Sequence, residues 1–527
     1  MRPSFLARAA SLIALSLFIP LTAEAQLVDR TRAPHTENNA AVQKSLAQQI
    51  GAGRANDVTP NSSLFLIRRD PFRSIRRGRQ LFQRKFALAQ GLGPITGDGA
   101  GDIELDDSIG AGLSDSCAGC HGRPRGSAGH GGDVATRPDS RDAPHLFGLG
   151  LVEMLADEMT REMRQIRADA IQEAINNNGI EIAPLQTKGI DFGHIIAFPN
   201  GTVDTSNVEG VDPDLRVRPF FHDGRLFSIR EFVVGAFNAE MGLESPDADL
   251  LVASGGGMVT TPSGMELNGA IDTFGPVPAP STVADPDGDG VVNEIDTALV
   301  DHMEWYLLNY FRPANYEQTA AVTQGREVFD NTGCGSCHVA DLNILGDRRV
   351  ADVETVFDSV QGIFNNLFST ATTLTNVIND SPNPPYIEAG FGGFLVEGIF
   401  SDLKRHNLGP NFHERQYDGT ITTHFVTEPL WGVATTAPYG HDGRSINLNE
   451  VILRHGGEAQ GSRDIYAELS DGDRGKLLAF LGSLVLFPPD DTASNLDPGN
   501  PSDPNFPQRG HGAIDLSVLF VNPTDKE

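Results

Sequence analysis

Cysteine is scarce in this chain: 527 residues contain four. Positive charge is also in short supply, with 40 Lys and Arg against 70 Asp and Glu and a net charge of −30. That balance argues against nucleic acid as a partner, because the phosphates would be repelled. It suits a cation or a basic electron-transfer protein, and it equally keeps an exported protein soluble. Beyond the first 25 residues no apolar run is long enough to span a bilayer, so no membrane insertion is expected. Strand-like alternation is sparse, and methionine is absent after Cys334. Hydrophobic residues still make up 39 %, enough to bury sizeable cores, and the length suggests two or three domains.

The N-terminus does carry a short apolar run. In MRPSFLARAASLIALSLFIPLTAEAQ, Arg2 and Arg8 precede Leu12 to Leu21, and Ala23-Glu24-Ala25 follows. This reads as a secretory signal cut before Gln26, and it predicts a soluble protein of an oxidising compartment, a bacterial periplasm.

The four cysteines fall into two groups of one form. Cys117, Cys120 and His121 lie in DSCAGCHG; Cys334, Cys337 and His338 lie in TGCGSCHV. In an exported protein two disulfides would be the usual expectation. A bridge between residues three apart, however, closes too small a loop to stabilise much. A zinc site from all four thiols, or a thioredoxin-like pair, leaves both histidines without a role. Covalent haem accounts for every residue. Thiols at i and i+3 share a helical face and can reach two vinyl groups, and the next residue brings its imidazole under the iron. Two haem c groups are expected, with His121 and His338 as iron ligands.

The duplication extends beyond these motifs. RPFFHDGRLFSIREFVV follows the first and APYGHDGRSINLNEVIL the second, so His222 matches His441, Asp223 matches Asp442, and Glu231 matches Glu450. H-D-G-R suggests a tight turn before a helix start. Helical periodicity marks DPFRSIRRGRQLFQRKFALA, GLVEMLADEMTREMRQIRADAIQEAI, EQTAAVTQGREVFDNT and DRGKLLAFLGSLVLF. The expected fold is mostly α: two tandem cytochrome-c-like haem domains with long loops, joined by a calcium-loop linker. Its divisions are a signal peptide (1–25), an N-terminal extension (26–75), a first haem domain (76–275), the linker (276–312), a second haem domain (313–490) and a tail (491–527). The apolar patch AIDLSVLFV in that tail is read as a short strand.

The linker contains DPDGDGVVNEID. Asp285, Asp287 and Asp289 occupy positions 1, 3 and 5 of an EF-hand-type loop, with Gly290 at the turn. The carbonyl of Val291, Asn293 and Asp296 complete a predicted Ca2+ site, with Asp296 where Glu is usual. The other reading is an acidic solvated turn.

These motifs, in this order, resemble the bacterial dihaem cytochrome c peroxidase superfamily, and within it the di-haem oxidoreductases described as peroxidase-like or thiol oxidoreductase-like. The resemblance rests on CAGCHG, RDAPHLFGLGLVE, FFHDGRLFSIREFVVGAFNAEMG, GCGSCH and PLWGVATTAPYGHDGR followed by LRHGGEA, over roughly residues 75–490. It implies that His222 stands where the peroxidases place a tryptophan between the haems. It also implies that Glu240 corresponds to the glutamate over the peroxide-binding iron, although Ala239 stands where that motif has proline. Peroxide cleavage needs a base for one oxygen and an acid for the other, which one carboxyl can supply. His130, in GSAGHGGD, resembles the distal histidine of the first haem, with His145 as the other local candidate. The second iron of the peroxidases commonly takes a methionine. Since none follows Cys334, Tyr439 and His441 are the candidates here, then His424.

The resemblance thus implies a periplasmic dihaem enzyme that reduces hydrogen peroxide, or another small oxidant, at the first haem. Electrons would be relayed through the second haem from a soluble donor such as a cytochrome or cupredoxin. Members of the family also form homodimers. The alternatives are a dihaem electron-transfer cytochrome without peroxidase activity, and a dihaem oxidase or oxygenase acting on another substrate.

Overall fold

The computed structural model describes residues 45–87, 90–92, 115–121, 143–285, 290–309, 314–315, 318–350, 375–390, 392–416 and 419–485. The signal, the C-terminal patch, His130, Asp287 and Asp289 lie outside the described residues.

Three helices open the described chain: α1 (Leu46–Ile50), α2 (Ser63–Arg69) and α3 (Pro71–Gln83). Ser45 and Ser62 cap the first two, and Pro71 pre-sets the first turn of the third. The first cysteine motif is itself a helix, α4 (Cys117–His121). The long α5 (Leu149–Asn177) leads into an antiparallel sheet of β1 (Glu181–Thr187), β2 (Ile190–Ala197) and β3 (Val203–Asp204). Lys188 and Gly189, both with positive φ, make the two-residue turn between β1 and β2. Next come α6 (Ile229–Met241), α7 (Ala248–Ser254) and α8 (Thr297–Leu308). The second half contributes α9 (Ala320–Asn331), α10 (Leu448–Arg454), α11 (Gln460–Glu468) and α12 (Asp471–Leu481). Among the described residues no helix is long and apolar enough to cross a membrane.

The architecture is mixed α/β, which corrects the expectation of two mostly helical, cytochrome-c-like domains. Among the described residues helix accounts for 39 % and strand for 15 %, in one three-stranded sheet and six two-stranded ones. Most of these strands are ribbons such as Arg405–His406 with Phe425–Val426, or Leu342–Ile344 with Phe394–Val396. Two or three residues cannot display an alternating pattern, so the pairing is made by tertiary contact and leaves no signature in sequence.

Two apolar cores form. The larger includes Leu81, Leu151, Phe192, Phe237 and Leu308, and it also takes Ile344, Val396, Leu403 and Trp431 from beyond the second cysteine motif. The smaller gathers Val322, Phe329, Phe400, Tyr466, Leu477 and Phe480. Each contains one instance of the same helix pair. α3 packs along α8, and a Cβ on Gly78 would lie 2.2 Å from the His302 carbonyl oxygen. Likewise α9 packs along α12, and a Cβ on Gly325 would lie 2.0 Å from the Lys476 carbonyl oxygen. The duplication therefore reaches the helices that flank the cysteine motifs.

α8 is buried from Ala298 to Leu308 although it carries Asp301, His302 and Glu304. Arg230 of α6, itself fully buried, pairs with Asp247 (2.6 Å), Asp301 (3.0 Å) and Glu304 (2.7 Å). These contacts offset the cost of removing the charges from water and fix α6, which carries Glu240, against the core.

Candidate functional site

All four cysteines are described and none is in a disulfide. Cys117 packs against the larger core and Cys334 against the smaller. Burial pushes their thiols up, to about 12 and about 11. The described residues hold two groups of possible metal ligands, and neither joins the two cysteine pairs. The four-thiol zinc reading thus loses its support.

The motif histidines are built alike. Nδ1 of His121 lies 2.7 Å from the Pro144 carbonyl oxygen, and Nδ1 of His338 lies 3.0 Å from that of Phe400. A carbonyl only accepts, so Nδ1–H must donate, and Nε2 is left as the basic nitrogen. Burial lowers both pKa values, that of His338 to about 4, which keeps the imidazoles neutral. A neutral ring oriented through one nitrogen is what a metal ligand requires. The donor set therefore fits two haem irons.

The two H-D-G-R turns share one backbone form. Phe220 and Leu226 bridge across the first, Tyr439 and Ser445 across the second. The amide of Gly224 donates to the Phe221 carbonyl and that of Gly443 to the Gly440 carbonyl, both at 3.0 Å. Each turn then enters a helix through a side-chain cap, Ser228 on Glu231 and Asn447 on Glu450. The residue before each histidine has positive φ: Gly440 in the second turn, but Phe221 (φ 62°) in the first. A bulky residue held there marks a strained backbone at the site.

These turns meet. The rings of His222 and His441 stack with centroids 5.0 Å apart and planes 20° apart. Both aim Nε2 at Glu414 Oε2, at 2.9 Å and 3.3 Å. Phe425 stacks on His441 at 4.4 Å, and the Val426 amide donates to the His222 carbonyl. Both His222 and His441 were singled out in the sequence, but their pairing was not. Glu414 was missed altogether, since it stands in an ordinary-looking stretch, NFHERQ.

Glu240 stands in the last turn of α6, half-buried, on the helix whose Phe232 ring lies 6.5 Å from that of His121. His145 uses both nitrogens, donating from Nε2 to the Trp431 carbonyl and accepting the Phe147 amide at Nδ1. The Tyr439 hydroxyl is made less acidic by burial. His424 is exposed and bonded to Thr423. Another histidine missed in the sequence is His455, in LRHGGEA. Its Nδ1 lies 2.8 Å from the Val451 carbonyl oxygen, as in the two motif histidines, and it is near enough to lower the His338 pKa further.

In the predicted calcium loop Gly290 has φ 85° and donates its amide to Asp285 Oδ2 at 3.2 Å. Asn293 Oδ1 is buried and has no hydrogen-bond partner among the described residues. Asp296 instead caps α8, accepting the Ala298 amide.

Residues 347–484 match a family model described as "Di-haem oxidoreductase, putative peroxidase". No curated protein matches the chain. The matched segment follows the second cysteine motif and contains Glu414, the second H-D-G-R turn and His455. Over residues 347–484 the chain is similar to the di-haem oxidoreductase family.

Proposed function

We propose that the protein is a periplasmic dihaem c-type oxidoreductase that reduces hydrogen peroxide. The reaction is assigned to the first haem, and a soluble cytochrome or cupredoxin supplies electrons through the second. The observation that carries the reading is the pair of C-x-x-C-H motifs whose imidazoles are each held through Nδ1 by a main-chain carbonyl. A haem bound at each motif supplies one-electron iron chemistry. The protein's own part is to orient and to move protons. His121 and His338 present neutral Nε2 atoms, and the cysteines would hold a haem at each motif. Glu240, at the C-terminal end of α6, is assigned as the carboxyl which takes a proton from one peroxide oxygen and returns it to the departing one. The reading includes Ca2+ in the 285–296 loop, supported by the buried Asn293 oxygen, which has no hydrogen-bond partner among the described residues, and by the Gly290–Asp285 bond.

The test is the visible spectrum of oxidised and half-reduced protein, followed by peroxide and a reduced donor. The reading predicts a high-spin component and turnover. Glu240→Gln should lower turnover by roughly 100-fold with both haems retained. Two unreactive six-coordinate haems would make the protein an electron-carrying cytochrome instead.

A further inference from the structure

We infer that His222, Glu414 and His441 form a binding site for a first-row divalent cation of the zinc type, between the two repeats and separate from both haem motifs and the calcium loop. The three ligand atoms, Nε2, Oε2 and Nε2, lie within 4.8 Å of one another. Zinc binds imidazole nitrogen and carboxylate oxygen at about 2.0–2.2 Å, so two ligands on one ion sit about 3 Å apart. The Glu414 oxygen lies 2.9 Å from one imidazole nitrogen and 3.3 Å from the other. All three side chains are at most 7 % exposed.

The surroundings orient the ligands. Glu414 Oε1 accepts from Gln416 Nε2 (2.8 Å), which also donates to Thr422 Oγ1 (2.9 Å), and this leaves Oε2 turned toward the histidines. Such outer bonds are the usual support of a metal-bound carboxylate. Phe425 and Phe412 pack on the His441 ring at 4.4 Å and 6.2 Å, shielding the cluster from bulk water. Two imidazoles and one carboxylate select zinc and its neighbours, whereas calcium and magnesium want more oxygen ligands. Three protein ligands, the number found among the described residues, leave one coordination position for a small molecule, as in zinc sites of that kind. Since one histidine comes from each repeat, the ion would tie the halves together.

The holoprotein, stripped with dipicolinate, is dialysed against Zn2+ in the presence of millimolar Ca2+, and bound zinc and iron are counted by mass spectrometry. One zinc per chain is expected beside an unchanged iron content. Glu414→Gln and His441→Gln should each weaken zinc binding at least about tenfold. X-ray absorption at the zinc edge of wild-type protein should show a nitrogen and oxygen shell near 2.0–2.1 Å without sulfur. This arm stands even if a variant fails to fold. No bound zinc, zinc equal in wild type and folded variants, or a sulfur shell would each overturn the site and leave a hydrogen-bonded cluster. The iron count reports separately on haem.

Discussion

His455 is anchored through Nδ1 to Val451, four residues earlier on α10, so Nε2 is the nitrogen left to coordinate. With no methionine after Cys334, it is a candidate for the sixth ligand of a haem held at His338. Replacing His455 by Ala should convert one of the two haems from six-coordinate low-spin to high-spin without lowering haem content. An unchanged ferric spectrum would remove His455 from that role. The cysteines, the motif histidines, His222 and His441 were legible because spacing and repetition single them out. His455 and Glu414 were not. Their significance lies in which atom a neighbour occupies, and that depends on Val451, Gln416 and the fold of a two-residue ribbon.

At the scale of elements, the duplication includes a helix pair whose contact needs glycine. Gly325→Ala would drive a methyl to 2.0 Å from the Lys476 carbonyl oxygen. The expected loss is roughly 1–3 kcal/mol, read as a lower denaturant midpoint. The cap of α6 gives a pH-dependent prediction. Burial raises the Glu231 carboxyl from 4.5 to about 7, so the folded state holds its proton more tightly than the unfolded chain. The associated stability is present below the unfolded value and is lost as pH rises through 7. Glu231→Gln should therefore gain on wild type by an amount on the order of 2–3 kcal/mol between pH 5 and pH 8. A difference that stays flat with pH would contradict the buried, proton-holding carboxyl. The helices themselves were foreseeable, since α3 and α9 are amphipathic, α5 opens on closely spaced apolar residues and α12 ends on the apolar run LLAFL. The hairpin of β1 and β2 was not, because Pro184 and Gly193 interrupt its alternation and β1 slips register near Pro184.

For the whole molecule, two repeats do not mean two independent cores. Val396, Leu403 and Trp431 join the first-half core, and the Glu158 carboxylate accepts amides from Leu345 and Gly346. Sequence periodicity reports local segments, so it marks the repeats but not this sharing. The site built across the repeats, with His222 against His441, depends on it. Everything proposed for chemistry depends in turn on porphyrin held through Cys117, Cys120, Cys334 and Cys337. The most direct test is the intact mass of mature, denatured protein after acid extraction of any loosely bound haem. The account predicts a mass above that of the polypeptide by two haems, falling to one haem when Cys334 and Cys337 are both changed to Ala. A colourless protein with the mass of the bare chain would contradict it.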